Sequence, residues 1–297
     1  MREKALVLGG GGLTGIGWEC GILHGLAQAG IDLGSTADLV VGTSAGSIVG
    51  AQLTSGLVSP AELYERQLQH VPGETVSRIG ASVMARYAWG VVRSRDARSF
   101  GARMGALALA AGPRATSVHR EVIAERLLSH DWPERRLVVT AVDARSGEFA
   151  AFDRDGELDL LDAVSASCAV PGVWSPVSAA GRHWIDGGIR SAANADLASG
   201  YRNVVIIAPV SLGGGPVQTA RAQAARLAAE GARVALITPD RAARRAFGRN
   251  VLDPARRAPA ARAGLAQAAA HAAEVAAAWC SARDQSPGSS EARLCGP

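Results

Sequence analysis

The chain has 297 residues, of which 48% are hydrophobic and 4% aromatic, and its formal net charge is +4. A chain of this length can bury a substantial core without disulfides or metals, and the composition excludes an intrinsically disordered protein. Its 31 basic residues are nearly all arginine, since Lys4 is the only lysine. Because basic and acidic residues nearly balance, we expect no nucleic-acid partner, and only a weak preference for anionic lipid surfaces is left open.

The four cysteines are Cys20, Cys168, Cys280 and Cys295. They lack the C-x-x-C spacing and the nearby histidines of a zinc site, so we expect free thiols in a reducing compartment and no bound metal. The first apolar run covers residues 5–8 and ends at Gly9, which is too short for a signal peptide. No apolar stretch reaches the ~20 residues of a membrane-spanning helix. We therefore expect a cytoplasmic protein that contacts membranes only peripherally.

Short apolar runs alternate with alanine-rich segments of helical period, which predicts one α/β domain, over residues 1–280, with a mostly parallel sheet covered by helices. In chain order the predicted strands cover residues 5–8, 38–41, 137–142, 149–152, 183–185, 204–208 and 234–237. Helices are expected to begin near Gly17, Ala45, Pro60, Thr116, Leu160, Thr219 and Arg241, several of them at Pro, Ser or Thr.

Three further segments differ in composition from this alternating pattern. Residues 74–113 have weaker periodicity, scattered arginines and aromatics such as Tyr87 and Trp89, and are predicted to form a helical cap over the site. Residues 258–279 are so rich in alanine that propensity alone predicts a packing helix. Residues 281–297 have linker composition, so we expect a flexible tail.

The first motif is a glycine run over residues 9–15, Gly-Gly-Gly-Gly-Leu-Thr-Gly, between a predicted strand and a predicted helix. Gly10, Gly12 and Gly15 satisfy a dinucleotide fingerprint, so an NAD-dependent oxidoreductase is one interpretation. That interpretation needs an acid at the end of the next strand to bind the ribose. Asp32 and Asp38 instead precede or begin apolar segments, which weakens it.

The same glycine run fits a second interpretation, because bare backbone N–H groups at a helix N-terminus can bind an oxyanion as well as a phosphate. A side chain on these residues would block an approaching carbonyl group. Gly10, Gly11 and Gly12 are therefore candidate oxyanion-hole residues, with Gly11 and Gly12 the best donors.

The second motif is Gly42-Thr43-Ser44-Ala45-Gly46, which follows an apolar run and leads into a predicted helix. This strand-turn-helix context is that of a G-x-S-x-G nucleophile elbow, in which Gly42 and Gly46 permit the sharp turn that exposes the serine hydroxyl. An ordinary helix-capping serine would also match the pattern. Ser44 at a helix N-terminus is well placed for negative charge to develop beside it, so we predict that it is the nucleophile.

A serine hydroxyl needs a base, and no histidine is convincing in that role. Only His271 follows the third motif, and it lies in the alanine-rich helix. The remaining histidines are isolated in predicted helices or in a short strand. The third motif, Asp186-Gly187-Gly188, follows a predicted strand, so the Asp186 carboxylate is placed on the loop face where α/β sites assemble. A plain β-turn aspartate is the alternative interpretation.

Taken in order, these motifs resemble the patatin-like phospholipase family. Residues 166–176, which include Pro171, are also similar to a proline-containing stretch that precedes the aspartate in that family. The resemblance implies a three-layer α/β/α sandwich, a Ser44–Asp186 catalytic dyad supported by Gly187 and Gly188, a lipid ester substrate and no cofactor. It leaves the lipid, the oligomeric state and the movement of the cap open.

The sequence departs from the family pattern at two positions. Thr14 stands where such loops usually carry Arg or Lys, which argues against a fixed positive charge beside the oxyanion hole. Trp174 replaces a smaller aromatic residue, so the acyl pocket is expected to differ in depth. A patatin-like module that binds lipid without hydrolysing it is the alternative from another functional class.

Overall fold

The computed structural model describes residues 3–69, 76–110, 116–211 and 213–280. The predicted tail at 281–297 lies outside the described residues, as do both ends of the predicted cap.

Within the described residues, eight strands form one sheet: β1 (Lys4–Leu8), β2 (Leu39–Gly42), β3 (Leu137–Asp143), β4 (Phe149–Phe152), β5 (Val177–Ala179), β6 (Arg182–Asp186), β7 (Asn203–Ile207) and β8 (Arg233–Ile237). β1 lies between β2 and β7, and the pairs β1–β2, β1–β7, β2–β3 and β7–β8 are parallel. β4 and β6 pair with β3, and β5 with β6, in antiparallel fashion. All seven predicted strands are present, and only the three-residue β5 escaped the sequence pattern.

The described residues form eleven α-helices: α1 (Gly12–Gln28), α2 (Leu33–Thr36), α3 (Ala45–Thr54), α4 (Pro60–Leu68), α5 (Ala81–Arg93), α6 (Ala97–Ala110), α7 (Thr116–Arg126), α8 (Leu160–Ser167), α9 (Ala220–Ala229), α10 (Arg241–Phe247) and α11 (Arg257–Trp279). Each predicted helix start is matched by a helix. The largest difference is at α1, which begins at Gly12 instead of near Gly17 because the glycine run itself provides the first turn.

Side chains alternate between the two faces of the central strands. In β1, Leu6 and Leu8 join a core cluster that includes residues of α1, α3, α8 and α11, whereas Ala5 and Val7 join a second cluster with α9. A third cluster packs α6 against β3 and β6. Helices therefore cover both faces, and the predicted α/β/α sandwich with a mostly parallel sheet is confirmed.

The pairing of β3 brings two strand ends together. Val139 pairs with Gly42 of β2 on one edge and with a β4 residue on the other, while Ala141 pairs with Asp186 of β6. Because β4 occupies the far edge of β3 over these residues, β2 and β6 must share the near edge, end to end. The last residue of β6 therefore lies close to the turn that follows β2.

The segment predicted as a cap contains two helices with different surroundings. In α6, Phe100 and Met104 are buried against the sheet, so this helix belongs to the fold itself. In α5, Gly90 is the one fully buried residue, and most of the helix surface is exposed. Only α5 has the position and exposure expected of a covering element.

Helices α1 and α11 pack closely along small residues. A Cβ atom at Gly21 of α1 would collide with the carbonyl oxygen of Ala261, and one at Gly264 of α11 would collide with that of Trp18. The close approach is possible because glycine has no side chain to separate the two backbones. As a result, α11 lies directly against the helix that begins at the glycine run.

The cysteines differ from the expectation at one position. Cys20 and Cys168 are buried free thiols, but Cys280, at the end of α11, is disulfide-bonded. Sequence spacing could not reveal this bond because it depends on which chain segments meet in the fold. Cysteine usage therefore no longer supports a reducing compartment.

None of the helices in the described ranges combines the length and the apolar character that crossing a membrane requires.

Candidate active site

Ser44 occupies a sharp turn between β2 and α3. Its backbone has φ 52° and ψ −117°, which a residue with a side chain adopts at a cost, and such strain is typical of functional sites. The Ser44 N–H donates to Ser167 Oγ at 2.8 Å, and the neighbouring Thr43 N–H donates to the Leu8 carbonyl at 3.0 Å. These bonds hold the turn in its strained conformation, with the Ser44 side chain directed to the carboxyl edge of the sheet.

Close packing explains why the residue two positions after Ser44 is glycine. A Cβ atom at Gly46 would overlap the carbonyl group of Leu8, and the Gly46 N–H donates to the Gly9 carbonyl at 3.0 Å. The first turn of α3 is thereby pressed against the end of β1, where the glycine run begins. The G-x-S-x-G spacing thus places the turn that contains Ser44 and the glycine run side by side.

Asp186, the last residue of β6, lies close enough to the Ser44 hydroxyl for that hydroxyl to stabilise its carboxylate. The Gly188 N–H also donates to Asp186 Oδ1 at 2.7 Å. Burial raises the pKa of the Asp186 carboxyl to about 6, and the nearby Ser44 hydroxyl and the bond from the Gly188 N–H oppose that rise. The structure therefore brings together the two residues named for the dyad, with a carboxylate more basic than usual.

The glycine run lies beside Ser44, but its three candidate donors are not equivalent. The Gly10 N–H donates to the Ala192 carbonyl at 2.7 Å, so it is not available to an oxyanion. Gly11 and Gly12 begin α1, where N–H groups lack partners within the helix, and no backbone acceptor faces them among the described residues. The candidate donors are thereby narrowed to Gly11 and Gly12. Gly12 has φ 60°, which explains why glycine is required there.

Thr14, in place of the usual basic residue, is fully buried in the first turn of α1. Its Oγ1 donates to the Gly11 carbonyl at 3.3 Å, and its N–H donates to the Val251 carbonyl at 3.1 Å. It therefore fixes the glycine run and contributes no charge. Next to it, Gly15 lies beside Ala45, so the N-termini of α1 and α3 are adjacent.

Sequence reasoning missed a buried residue that ties the site together. The Asn194 side-chain N–H₂ group lies within 3.1 Å of Thr43 Oγ1, 3.3 Å of Thr140 Oγ1, 3.2 Å of the Gly187 carbonyl and 2.9 Å of the Ser191 carbonyl. Asn194 is fully buried with left-handed backbone, φ 50°. It joins the turn before Ser44 to the turn after Asp186. Nothing in the local sequence distinguishes this asparagine from a loop residue.

The stretch around Pro171 forms another wall of the site. Cys168 Sγ donates to the Ser44 carbonyl at 3.3 Å, and burial together with the Asp186 charge raises the pKa of this thiol to about 12, so it stays protonated. The Pro171 carbonyl accepts a hydrogen bond of 3.1 Å from Tyr87 of α5. This bond connects the exposed helix to the candidate site formed by Ser44, Asp186 and Asn194, which is named the catalytic corner below.

The described histidines lie apart from the Ser44–Asp186 pair. His119 stacks on Trp174 with ring centroids 4.6 Å apart, and neither of its ring nitrogens has a hydrogen-bond partner. Burial, with a smaller contribution from Arg126, lowers the pKa of His119 to about 4, so it is neutral at physiological pH. His183 bonds Ser178, and the other described histidines have partners elsewhere. His70 lies outside the described residues.

A cavity of about 180 Å³ adjoins the first turn of α3, where Ile48 forms part of its wall. Arg66, Arg126 and Arg257 line it, against a single carboxylate, that of Glu125. Positive charge therefore does reach the neighbourhood of the site, from residues far from Thr14 in sequence.

Two kinds of cofactor site can be assessed from the same geometry. Among the described residues, no group of three His, Cys, Asp or Glu side chains is arranged to hold a metal ion. A dinucleotide-binding fold places an acid at the end of its second strand. Here β2 ends at Gly42 and runs directly into Thr43 and Ser44, which does not support the NAD-dependent interpretation.

The family profile described as Patatin-like phospholipase matches residues 6–199. This span covers more than half of the chain and contains the glycine run, Ser44 and Asp186. The chain belongs to the patatin-like phospholipase family. At the level of the family, this membership supports an activity that hydrolyses lipid acyl esters.

Two solved structures are similar to this patatin-like phospholipase chain. VipD from Legionella pneumophila is 14% identical with a TM-score of 0.46, over 94% of this chain and 67% of that one. The type III effector protein ExoU is 17% identical with a TM-score of 0.42, over 92% of this chain and 53% of that one. The chain thus spans about half the length of ExoU.

Proposed function

We propose that this chain is a serine acyl hydrolase in which Ser44 is the nucleophile and Asp186 the general base. The observation that carries the proposal is the proximity of the strained Ser44 to the buried Asp186, beside a glycine run in which the Gly11 and Gly12 N–H groups have no backbone acceptor among the described residues. A carboxyl pKa of about 6 supports the role of base, because such a group is ionised at neutral pH yet accepts a proton more readily than an ordinary aspartate.

In the proposed mechanism, Asp186 takes the hydroxyl proton of Ser44 as the oxygen attacks the ester carbonyl. The Gly11 and Gly12 N–H groups stabilise the resulting oxyanion. The tetrahedral intermediate collapses to an acyl-enzyme, and the departing alcohol takes the proton from Asp186. A water molecule then gives its proton to the same carboxylate and attacks the acyl-enzyme, which releases a fatty acid and returns the proton to Ser44.

The arginine-lined cavity supports a substrate class more specific than a lipid ester. Guanidinium groups bind phosphate well, and Arg66, Arg126 and Arg257 line a cavity beside the helix that begins after Ser44. We therefore infer an ester whose alcohol part carries a phosphate, as in a phospholipid or lysophospholipid, in preference to a neutral glyceride.

Labelling with a fluorophosphonate probe tests the proposal directly, because the probe reacts only with an activated serine hydroxyl. We expect labelling of the wild type at Ser44 and none of Ser44→Ala. Released fatty acid is then measured with a lysophospholipid and with a monoacylglycerol of the same chain length. If a folded wild-type protein takes no label and releases no fatty acid, the hydrolase proposal is wrong.

A further inference from the structure

The outer surface of α5 is unusually apolar for a helix that is mostly exposed. The described residues include six large hydrophobic side chains with strong exposure, and three of them lie on α5: Met84 at 53%, Trp89 at 61% and Val92 at 78%. At 100° per residue, these three and the alanines between them form one arc of the helix. Contiguous apolar surface of this kind marks an interaction site more often than chance exposure.

Positive charge is concentrated in the segment that contains this arc, with Arg86 and Arg93 on α5 itself. Residues 76–110 contain six arginines and one acidic residue, Asp96, so the segment carries +5, whereas the whole chain carries +4 and the rest therefore −1. All six arginines are exposed, and the Arg93 guanidinium lies 5.0 Å from the ring centroid of Trp89. The partner that fits such a face has an apolar interior and an anionic surface.

The opposite face of α5 lies against the catalytic corner. Tyr87 bonds the Pro171 carbonyl, and the Val83 side chain packs against the backbone of Gly172. The Asp186 carboxylate is close enough to contribute, after burial, to a raised pKa of the Tyr87 hydroxyl. One helix, about 10 Å in diameter, thus separates the apolar arc from the site.

We propose that the arc of Met84, Trp89 and Val92, with the arginines beside it, docks this chain onto a bilayer that contains anionic lipids. An amphipathic helix with Trp and aliphatic residues on one face and arginines beside them binds in the plane of the membrane interface. Docked in this way, α5 lies between the bilayer and the Ser44–Asp186 pair. A bilayer with anionic lipids accounts for both features of α5, because it offers an apolar interior beneath a negatively charged surface.

The test measures co-sedimentation with vesicles of phosphatidylcholine alone and of phosphatidylcholine mixed with phosphatidylglycerol. Every variant carries Ser44→Ala, so the lipids stay intact and docking is measured separately from hydrolysis. We expect binding to the anionic vesicles, weakened by about tenfold or more in a Met84→Gln, Trp89→Gln, Val92→Gln triple variant. Leu57→Gln is the matched control, because Leu57 is 61% exposed but lies beyond the far end of α3.

A second variant tests how much the arginines of α5 contribute to vesicle binding. An Arg86→Gln, Arg93→Gln double variant should lose affinity for anionic vesicles by ~5-fold per arginine and leave the weak binding to phosphatidylcholine unchanged. Trp89 is the one exposed tryptophan of the six, so its emission should shift to the blue on anionic vesicles. The shift should be absent in Trp89→Gln.

Several results would overturn the docking proposal. The proposal is wrong if the parent protein does not bind vesicles, or if the triple variant binds them equally well. It is also wrong if the wild type forms a dimer that the triple variant abolishes, because the arc would then bind a second copy of the chain. Labelling by the fluorophosphonate probe and the thermal unfolding midpoint, measured with Ser44 present, should match between wild type and triple variant. If labelling fails while vesicle binding persists, the hydrolase proposal falls and the docking proposal stands.

Discussion

The catalytic corner and α5 lie against each other but are built on opposite principles. In the corner, backbone contacts leave little freedom: Gly46 touches the Leu8 carbonyl, Asn194 bonds two turns at once, and Asp186 is buried. In α5, side chains make few contacts and most of the surface is exposed. An enzyme that acts on lipids needs a rigid site for the reaction and an adaptable surface that contacts the lipid. In this protein the two requirements are met by different regions.

Asp186→Asn is expected to have the largest effect on the catalytic corner without an effect on α5. The amide keeps the shape of the carboxyl but cannot accept the Ser44 proton, so ester turnover should fall by ~10³-fold or more. Vesicle binding should not change. Since burial opposes ionisation of Asp186, the variant should be at least as stable as the wild type at pH 8. Asp155→Asn, an exposed carboxylate in the turn after β4, is the control, and its turnover should equal that of the wild type.

A second test weakens the corner without touching reacting groups. Asn194→Asp retains the size and the tolerance for left-handed backbone but replaces the donor N–H₂ group by an oxygen that faces the Gly187 carbonyl. We expect turnover of a soluble short-chain ester to fall by roughly 10- to 100-fold as Ser44 and Asp186 lose alignment, with a lower unfolding midpoint. KM should change little if the role is positioning. An unchanged kcat in a destabilised protein would assign Asn194 to stability alone.

A change of pH is expected to give the smallest difference between the catalytic corner and α5. The Asp186 pKa, about 6, is raised above its ordinary value, so the carboxylate is lost as pH falls through 6. Turnover of a soluble ester at pH 5 should be about a tenth of its plateau value, since about a tenth of the carboxyl is then ionised. Arginines keep their charge over this range, so binding to phosphatidylglycerol vesicles should be constant. A plateau that extends to pH 4 would contradict the role of Asp186 as base.

The sequence was informative where local backbone requirements determine the structure. The strand, sharp turn and helix around Ser44, and the strand and turn at Asp186, are each encoded within a few residues, so their geometry could be anticipated. The predicted family and the predicted sandwich fold are both confirmed. The catalytic roles of the two residues remain predictions until the variants are measured.

The features that escaped prediction all depend on contacts between distant segments. The Gly10 N–H is occupied by Ala192, and Asn194 meets Thr43 across the sheet edge, although neither contact leaves a local pattern. The same reason applies to Cys280, whose disulfide depends on where the end of α11 lies. It also applies to α6, whose weak periodicity concealed a helix packed against β3 and β6.

The close packing of α1 against α11 means that residues beyond the span matched by the family profile support the candidate site. The profile ends at residue 199, yet Arg257–Trp279 packs against α1, the helix that begins at the glycine run. A protein truncated at residue 199 would lack α11 and would expose the glycines of α1 to water. The first turn of α1 would then lose the packing that holds it in position. The turn that contains Ser44 is thus held by Leu8 and Ser167, whereas the helix that begins at the proposed oxyanion donors is held by the late segment α11.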